Sequence, residues 1–80
     1  MKYVVFSKPT CPYCQRAEEV LNNNDLEYHI INFEESQSQV LQEIKQAFDW
    51  STVPMIFEVS ERASINFIGG CSDLEVHLGA

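Results

Sequence analysis

Two cysteines three residues apart carry the most evident chemistry of the chain, in the run Thr10-Cys11-Pro12-Tyr13-Cys14. An apolar stretch, Tyr3-Val4-Val5-Phe6, precedes them and a helical pattern follows. In that strand–loop–helix context a C-x-x-C pair reads as a redox motif. Cys11 falls at the helix start, where the first backbone N–H groups have no partner inside the helix and the dipole favours an anion. Thiolate is the attacking species, and helix N-termini lower cysteine pKa. Pro12 suits the first helical position because its missing N–H would have been unpaired there. The i, i+3 spacing puts Cys14 on the face of Cys11. Cys11 is therefore expected to be the exposed nucleophile and Cys14 the partly shielded resolving thiol, with a disulfide between them within reach.

The surrounding elements follow from periodicity and breakers. Lys2 to Phe6 reads as a buried central strand and Ser7–Thr10 as a loop. Tyr13, Ala17, Val20 and Leu21 recur at helical spacing over Pro12 to about Asn23, where Asn22-Asn23-Asn24-Asp25 stops the helix. Glu27 to Phe33 reads as a second strand, parallel to the first through a right-handed crossover. Ser36 is the expected N-cap of a helix reaching about Phe48, with Val40, Leu41, Ile44, Ala47 and Phe48 as its apolar stripe. Met55–Val59 and Ser64–Ile68 form an antiparallel hairpin across Glu61-Arg62. Gly69-Gly70 ends the sheet, and a last helix runs from a Ser72 cap to about Leu78. The order βαβαββα implies an α/β domain: a four-stranded mixed sheet with helices on both faces, and a ligand edge beside the end of the first strand.

Residues 1–80 read as one domain, 45% apolar and without repeats or linkers. Three cysteines, an odd number scattered over positions 11, 14 and 71, do not make a disulfide scaffold and point to a reducing, cytoplasmic setting. The lone lysine and four-residue apolar run at the start do not read as a signal peptide, and no stretch is long enough to span a membrane. Net charge is −7, unevenly spread: residues 1–17 carry +3 from Lys2, Lys8 and Arg16, and the remainder −10. Lys8 and Arg16 are either solvated charges or cations that favour the Cys11 thiolate and draw an anionic substrate. The acidic remainder speaks against nucleic acid.

Two further motifs could make a binding site. Thr52-Val53-Pro54 holds Val53 extended, because proline disfavours helix at the residue before it, and leaves backbone groups open to strand-like pairing with a peptide. Gly69-Gly70-Cys71-Ser72-Asp73 allows close backbone approach, offers N–H groups at Ser72 and Asp73 to a carboxylate, and sets the Asp73 carboxylate where it could meet an α-ammonium. Each, alone, is also what an ordinary turn or helix cap looks like.

In this order and spacing the three motifs resemble the dithiol glutaredoxins, over nearly the whole chain. Cys11-Pro12-Tyr13-Cys14 is similar to the family's active site, Thr52-Val53-Pro54 to its cis-proline segment, and Gly69 to Leu74 to its glutathione-binding loop. The resemblance implies a thioredoxin-like fold with a cis Val53–Pro54 bond. It also implies a glutathione-dependent thiol–disulfide oxidoreductase, with Cys11 as nucleophile, Cys14 as resolving thiol and glutathione as co-substrate. Lys8 and Tyr13 would flank the glutathione. Val53 would bind its cysteinyl backbone between Thr52 and Pro54, and Cys71, Ser72 and Asp73 its γ-glutamyl end. Implied partners are glutathionylated or disulfide-bonded proteins, ribonucleotide reductase among them, met by a monomer. Where many members place glutamine or arginine for the glycyl carboxylate this chain has Leu41, leaving Gln42 and Lys45 as candidates.

Other readings are weaker. A zinc site lacks a second ligand pair, so no metal is expected. A donor served by thioredoxin reductase and blind to glutathione would not need the Gly69–Asp73 loop. An iron–sulfur carrier bridging two chains is disfavoured by Pro12, which stiffens the turn. Cys71 reads as structural, His29 and His77 as surface or satisfied histidines, and Trp50 as packing near the groove rim.

Overall fold

A single sheet in the order β2-β1-β3-β4 carries the chain, with β1 (Lys2–Ser7) beside both β2 (Glu27–Asn32) and β3 (Met55–Val59), and β4 (Ile65–Gly69) at one edge. The computed structural model describes residues 2–79. β1 and β2 are parallel, joined through α1 (Pro12–Asn23), whereas β3 runs antiparallel to both β1 and β4. The other helices are α2 (Ser38–Ala47) and α3 (Cys71–His77). The expected topology and the central place of β1 are both found.

Side-chain alternation along the strands divides the core into two layers. Tyr3, Val5 and Ile56 face α1 and α3 and pack with Ala17, Leu21, Cys71 and Leu74, all buried. The opposite face is aromatic: Phe6 meets Phe33 and Phe57, and Phe57 meets Phe48 and Phe67, with ring centroids 5.1–5.3 Å apart. Phe48 caps the C-terminus of α2 and brings that helix onto this face. Helices therefore cover both faces, as expected.

Two helix starts differ from expectation. Ser36 does not cap a helix; it lies inside a 3-10 turn over Glu35–Gln37 that leads into α2. The turn is closed by Gln37, whose side-chain oxygen accepts the Glu34 N–H at 3.0 Å. Likewise Ser72 lies inside α3, because Gly70 is the cap and donates its N–H to Asp73 Oδ2 at 2.9 Å. The α2 stripe is also rotated. Leu41 and Lys45 are its buried residues, while Val40 and Phe48 are about half exposed.

The direction of the strands decides where the motifs meet. β1 ends, β3 begins and β4 ends at the same edge of the sheet. The loop before α1, the segment before β3 and the turn into α3 are thereby neighbours, although they are distant in sequence. A register shift between Ile56 and Phe57 leaves Ile68 as the extra residue of β4 just before Gly69.

Candidate active site

Cys11 is the N-cap of α1, in extended conformation, with Pro12 in the first turn. Its Sγ accepts the backbone N–H of Cys14 at 3.3 Å. One of the orphan donors of the helix thus points at this sulfur, and none of the first-turn residues is acidic. Thr10, immediately before it, has φ = 57°, a left-handed conformation that a β-branched residue rarely adopts. That turn swings the chain out of β1 and presents Cys11 at the surface. Nothing in the sequence marked it, since threonine is not a residue that favours such a turn.

Cys14 is buried, at 5% exposure. Burial pushes its thiol up, a hydrogen bond with Cys11 adds to this, and the Ser7 hydroxyl and Lys8 backbone oppose it. The two cysteines are thereby different: one sulfur half-exposed and served by a helix N–H, the other shielded and holding its proton. All three cysteines are free thiols.

A groove of about 280 Å³ lies beside them, lined by Tyr13, Trp50, Thr52–Pro54 and Gly70–Asp73. The Val53–Pro54 peptide is cis. Among the described residues no backbone hydrogen bond outside the strands engages Val53. The first intrahelical bond of α3 runs from Leu74 N–H to Gly70 O, which leaves the N–H groups of Cys71, Ser72 and Asp73 at the groove. Gly69 has φ = 123°, and a Cβ there would meet Asp73 Oδ2 at 2.5 Å, so this turn requires glycine. The Trp50 indole N–H is buried in the groove wall with no hydrogen-bond partner. The tryptophan stacks edge-on against Phe67 and lines the groove, in keeping with the packing role near the groove expected of it.

The structure therefore brings Tyr13, Thr52, Val53, Pro54, Cys71, Ser72 and Asp73 together beside the cysteines. Lys8 does not line this groove. It lies on the other side of Cys11, in a cavity of about 180 Å³ shared with Ser7, Cys14, Glu18 and Asn32. Arg16 is not at the nucleophile either: its Nε binds Glu75 Oε1 at 2.9 Å and ties α1 to α3. The thiol of Cys71 is buried, sits 3.5 Å from the same carboxylate, and is pushed up chiefly by burial. Leu41, at 1% exposure, can contact no ligand, whereas Lys45 is buried and its pKa is lowered by desolvation and by Lys8. Neither Lys8 nor Lys45 has a carboxylate in salt-bridge range among the described residues. Sequence reasoning also missed the network in which Tyr3 donates to Glu58 Oε2 at 2.9 Å and His77 Nε2 lies 2.7 Å from the same oxygen. Its members come from three separate elements, so no local pattern announced it.

The "Glutaredoxin" family model matches residues 3–62. Human Glutaredoxin-1 is 36% identical over 78 residues, covering 91% of this chain and 69% of that protein. The solution structure of a dithiolic glutaredoxin from Trypanosoma brucei brucei superposes with a TM-score of 0.76 at 42% identity, covering 96% of this chain and 76% of that one. The crystal structure of the buckwheat glutaredoxin–glutathione complex gives a TM-score of 0.78 at 29% identity, over 96% of this chain and 68% of that one. These likenesses make the fold thioredoxin-like, as the sequence implied.

Proposed function

The chain belongs to the glutaredoxin family of glutathione-dependent thiol–disulfide oxidoreductases, and we propose the following residue roles for that activity. Cys11 attacks and Cys14 resolves. The observation that carries this is the Cys11 sulfur at the cap of α1, accepting the Cys14 N–H beside the groove of Thr52–Pro54 and Gly70–Asp73.

In the monothiol route the Cys11 thiolate attacks the glutathione sulfur of a protein–glutathione disulfide. The Cys11–glutathione bond forms and the protein sulfur leaves as thiolate. A second glutathione then attacks the bound glutathione sulfur, releasing oxidised glutathione and the Cys11 thiolate. In the dithiol route Cys11 opens a protein disulfide and Cys14 attacks Cys11 Sγ, freeing the protein thiol. Two glutathiones reduce the resulting Cys11–Cys14 disulfide. Glutaredoxin potentials of about −200 to −230 mV lie close to the glutathione poise, so the exchange runs in either direction with the supply of thiol.

Glutathione lies along the groove as a short extra strand, its cysteinyl backbone paired with Val53 and flanked by Tyr13, Thr52 and Pro54. The γ-glutamyl carboxylate takes the N–H groups of Cys71, Ser72 and Asp73, and the ammonium takes the Asp73 carboxylate. Lys8 and Lys45 meet the glycyl carboxylate, an assignment supported by two lysines that have no carboxylate in salt-bridge range among the described residues. The protein works as a cytoplasmic monomer on glutathionylated and disulfide-bonded proteins, ribonucleotide reductase among them.

Glutathione-dependent disulfide reduction by the two cysteine variants tests the roles. Cys11→Ser is expected to abolish turnover and Cys14→Ser to retain deglutathionylation. Equal activity of the two variants would remove the distinction.

A further inference from the structure

The cavity behind Cys11, on the side away from the Thr52–Pro54 groove, joins Ser7, the buried Cys14 and Asn32, and apart from Lys8 its residues take no role in holding glutathione. Resting on the roles given above for Cys11 and Cys14, we propose that Ser7 is a positioning residue for the resolving step. Its buried hydroxyl, held ready by Asn32, receives the Cys14 thiolate once Cys11 has been capped by glutathione.

Ser7 closes β1 and is 4% exposed. It stands opposite Asn32 in the parallel pairing of β1 with β2. Its Oγ lies 3.0 Å from Asn32 Oδ1 and 3.3 Å from the Lys8 carbonyl oxygen. A buried hydroxyl in a small protein is more simply replaced by a methyl group unless its hydrogen bond is needed. Here it shares a cavity wall with the buried resolving cysteine.

The partners of Cys14 act at different stages. In the reduced protein the Cys11 sulfur lies against Cys14, accepting its backbone N–H at 3.3 Å, and after burial itself it is what keeps the proton on the Cys14 thiol. The Ser7 hydroxyl and the Lys8 backbone work in the opposite sense. Capping Cys11 turns its sulfur into half of a neutral disulfide and removes the acceptor that held the Cys14 proton. The two donors stay. Hydrogen bonds to the charged form favour it, so the balance at Cys14 shifts towards thiolate when a resolving attack becomes useful. The single hydroxyl proton of Ser7 turns from its Asn32 or Lys8 acceptor to the Cys14 sulfur. The resolving thiol is thereby quiet while Cys11 is free and active once Cys11 is occupied.

The step balances without a further reagent. The Cys14 proton leaves to solvent through the cavity, whose rim of Lys8, Thr10 and Gln15 is exposed. The thiolate attacks Cys11 Sγ and the Cys11–Cys14 bond forms. The Cys11–glutathione bond breaks, and its electron pair departs on the glutathione sulfur, which takes a proton from solvent. One disulfide is exchanged for another.

Rapid mixing of the reduced full chain with oxidised glutathione, followed by acid quench, separates the events. The first glutathione is released when Cys11 is capped, the second when Cys14 resolves. Ser7→Ala is expected to slow the second release about tenfold, the loss of one hydrogen bond to a charged group. It should also let the Cys11–glutathione species accumulate and move the pH profile of the second release to higher pH; Ser7→Thr should restore both. A second release at the wild-type rate with an unmoved pH profile would overturn the proposal. So would an equal slowing of the first release, which would make Ser7 a purely structural residue. If the wild-type chain itself shows no capping of Cys11, the underlying roles fail and this proposal falls with them.

Discussion

One carboxylate oxygen of Asp73 is already engaged by the Gly70 N–H at 2.9 Å, so the residue both shapes the turn into α3 and carries the charge proposed to meet the glutathione ammonium. Alanine would remove both roles at once. Asp73→Asn separates them, because an amide oxygen still accepts from Gly70. Its fold should be retained, while the KM for glutathione rises roughly threefold to tenfold, the range of a partly exposed ionic contact. An unchanged KM would leave Asp73 with the turn alone. The three thiols offer a second check at this scale. Burial pushes up Cys14 and Cys71 while Cys11 stands half-exposed. Alkylation at neutral pH is therefore expected to modify Cys11 first, with Cys71 reacting only on unfolding. Comparable rates at Cys11 and Cys71, read by peptide mass spectrometry, would contradict the burial. The residues legible in the sequence were those whose meaning is local: the C-x-x-C pair, the proline after Val53 and the glycines before Cys71. Lys8, Arg16 and Lys45 take their environments from distant elements. Charge counting near Cys11 left Arg16 as either a solvated charge or a cation for the nucleophile, while its actual partner is Glu75, 59 residues away.

At the scale of elements, α3 carries one wall of the groove and is held at both ends. Gly69 and Asp73 fix its start, and near its end His77 lies 2.7 Å from the buried carboxylate of Glu58 on β3. Gly69→Ala combines a left-handed φ with a Cβ 2.5 Å from Asp73 Oδ2. It should cost on the order of 1–2 kcal/mol in urea unfolding and raise the glutathione KM, because the Asp73 carboxylate must move. The other tie is pH-sensitive. The hydrogen bond with His77, followed by that from Tyr3, holds the Glu58 carboxyl below the usual carboxylate range, and Tyr3 itself is pushed up to about 12, first by burial. A depressed carboxyl stabilises the fold fully above its unfolded value of about 4.3, and this stability is lost as pH falls through the lower folded value. Glu58→Gln should accordingly show a smaller loss of stability than wild type between about pH 5 and pH 3. Parallel slopes for the two proteins would remove the carboxylate from the latch. Element type and order were legible because the periodicities are clean, but two caps were not. A glutamate–serine–glutamine turn before α2 and a backbone glycine before α3 close by side-chain contacts that compete with the serines expected there.

The whole molecule sets an acidic body against a cationic corner. Its net charge is −7, yet neither Lys8, which shares a cavity with the two cysteines, nor Lys45, whose charge Lys8 disfavours, has a carboxylate in salt-bridge range among the described residues. Lys45 is 9% exposed, and desolvation followed by Lys8 lowers its pKa. The native state thus holds that proton more weakly than the unfolded chain does, and the charged lysine costs stability at neutral pH. Lys45→Met is expected to stabilise the fold by roughly 1 kcal/mol, as hydrophobic replacement of buried charge does elsewhere, while raising the KM for glutathione. A variant that is both less stable and unchanged in KM would contradict that role. The burial of Lys45 was not legible in the sequence, where it lies beside an apolar stripe whose orientation only the packed sheet decides.

The central claim, that Cys11 carries glutathione in the groove of Val53 and the start of α3, is tested most directly by an amide-resolved NMR spectrum. Cys14→Ser protein treated with oxidised glutathione would be compared with the same protein reduced. The expected shifts concentrate at Cys11, Tyr13, Val53 and Cys71–Asp73, with cross-peaks from the γ-glutamyl protons to the amides of Ser72 and Asp73. A glutathione adduct on Cys11 that leaves Val53 and Cys71–Asp73 unmoved, or an adduct formed only on Cys71, would contradict it.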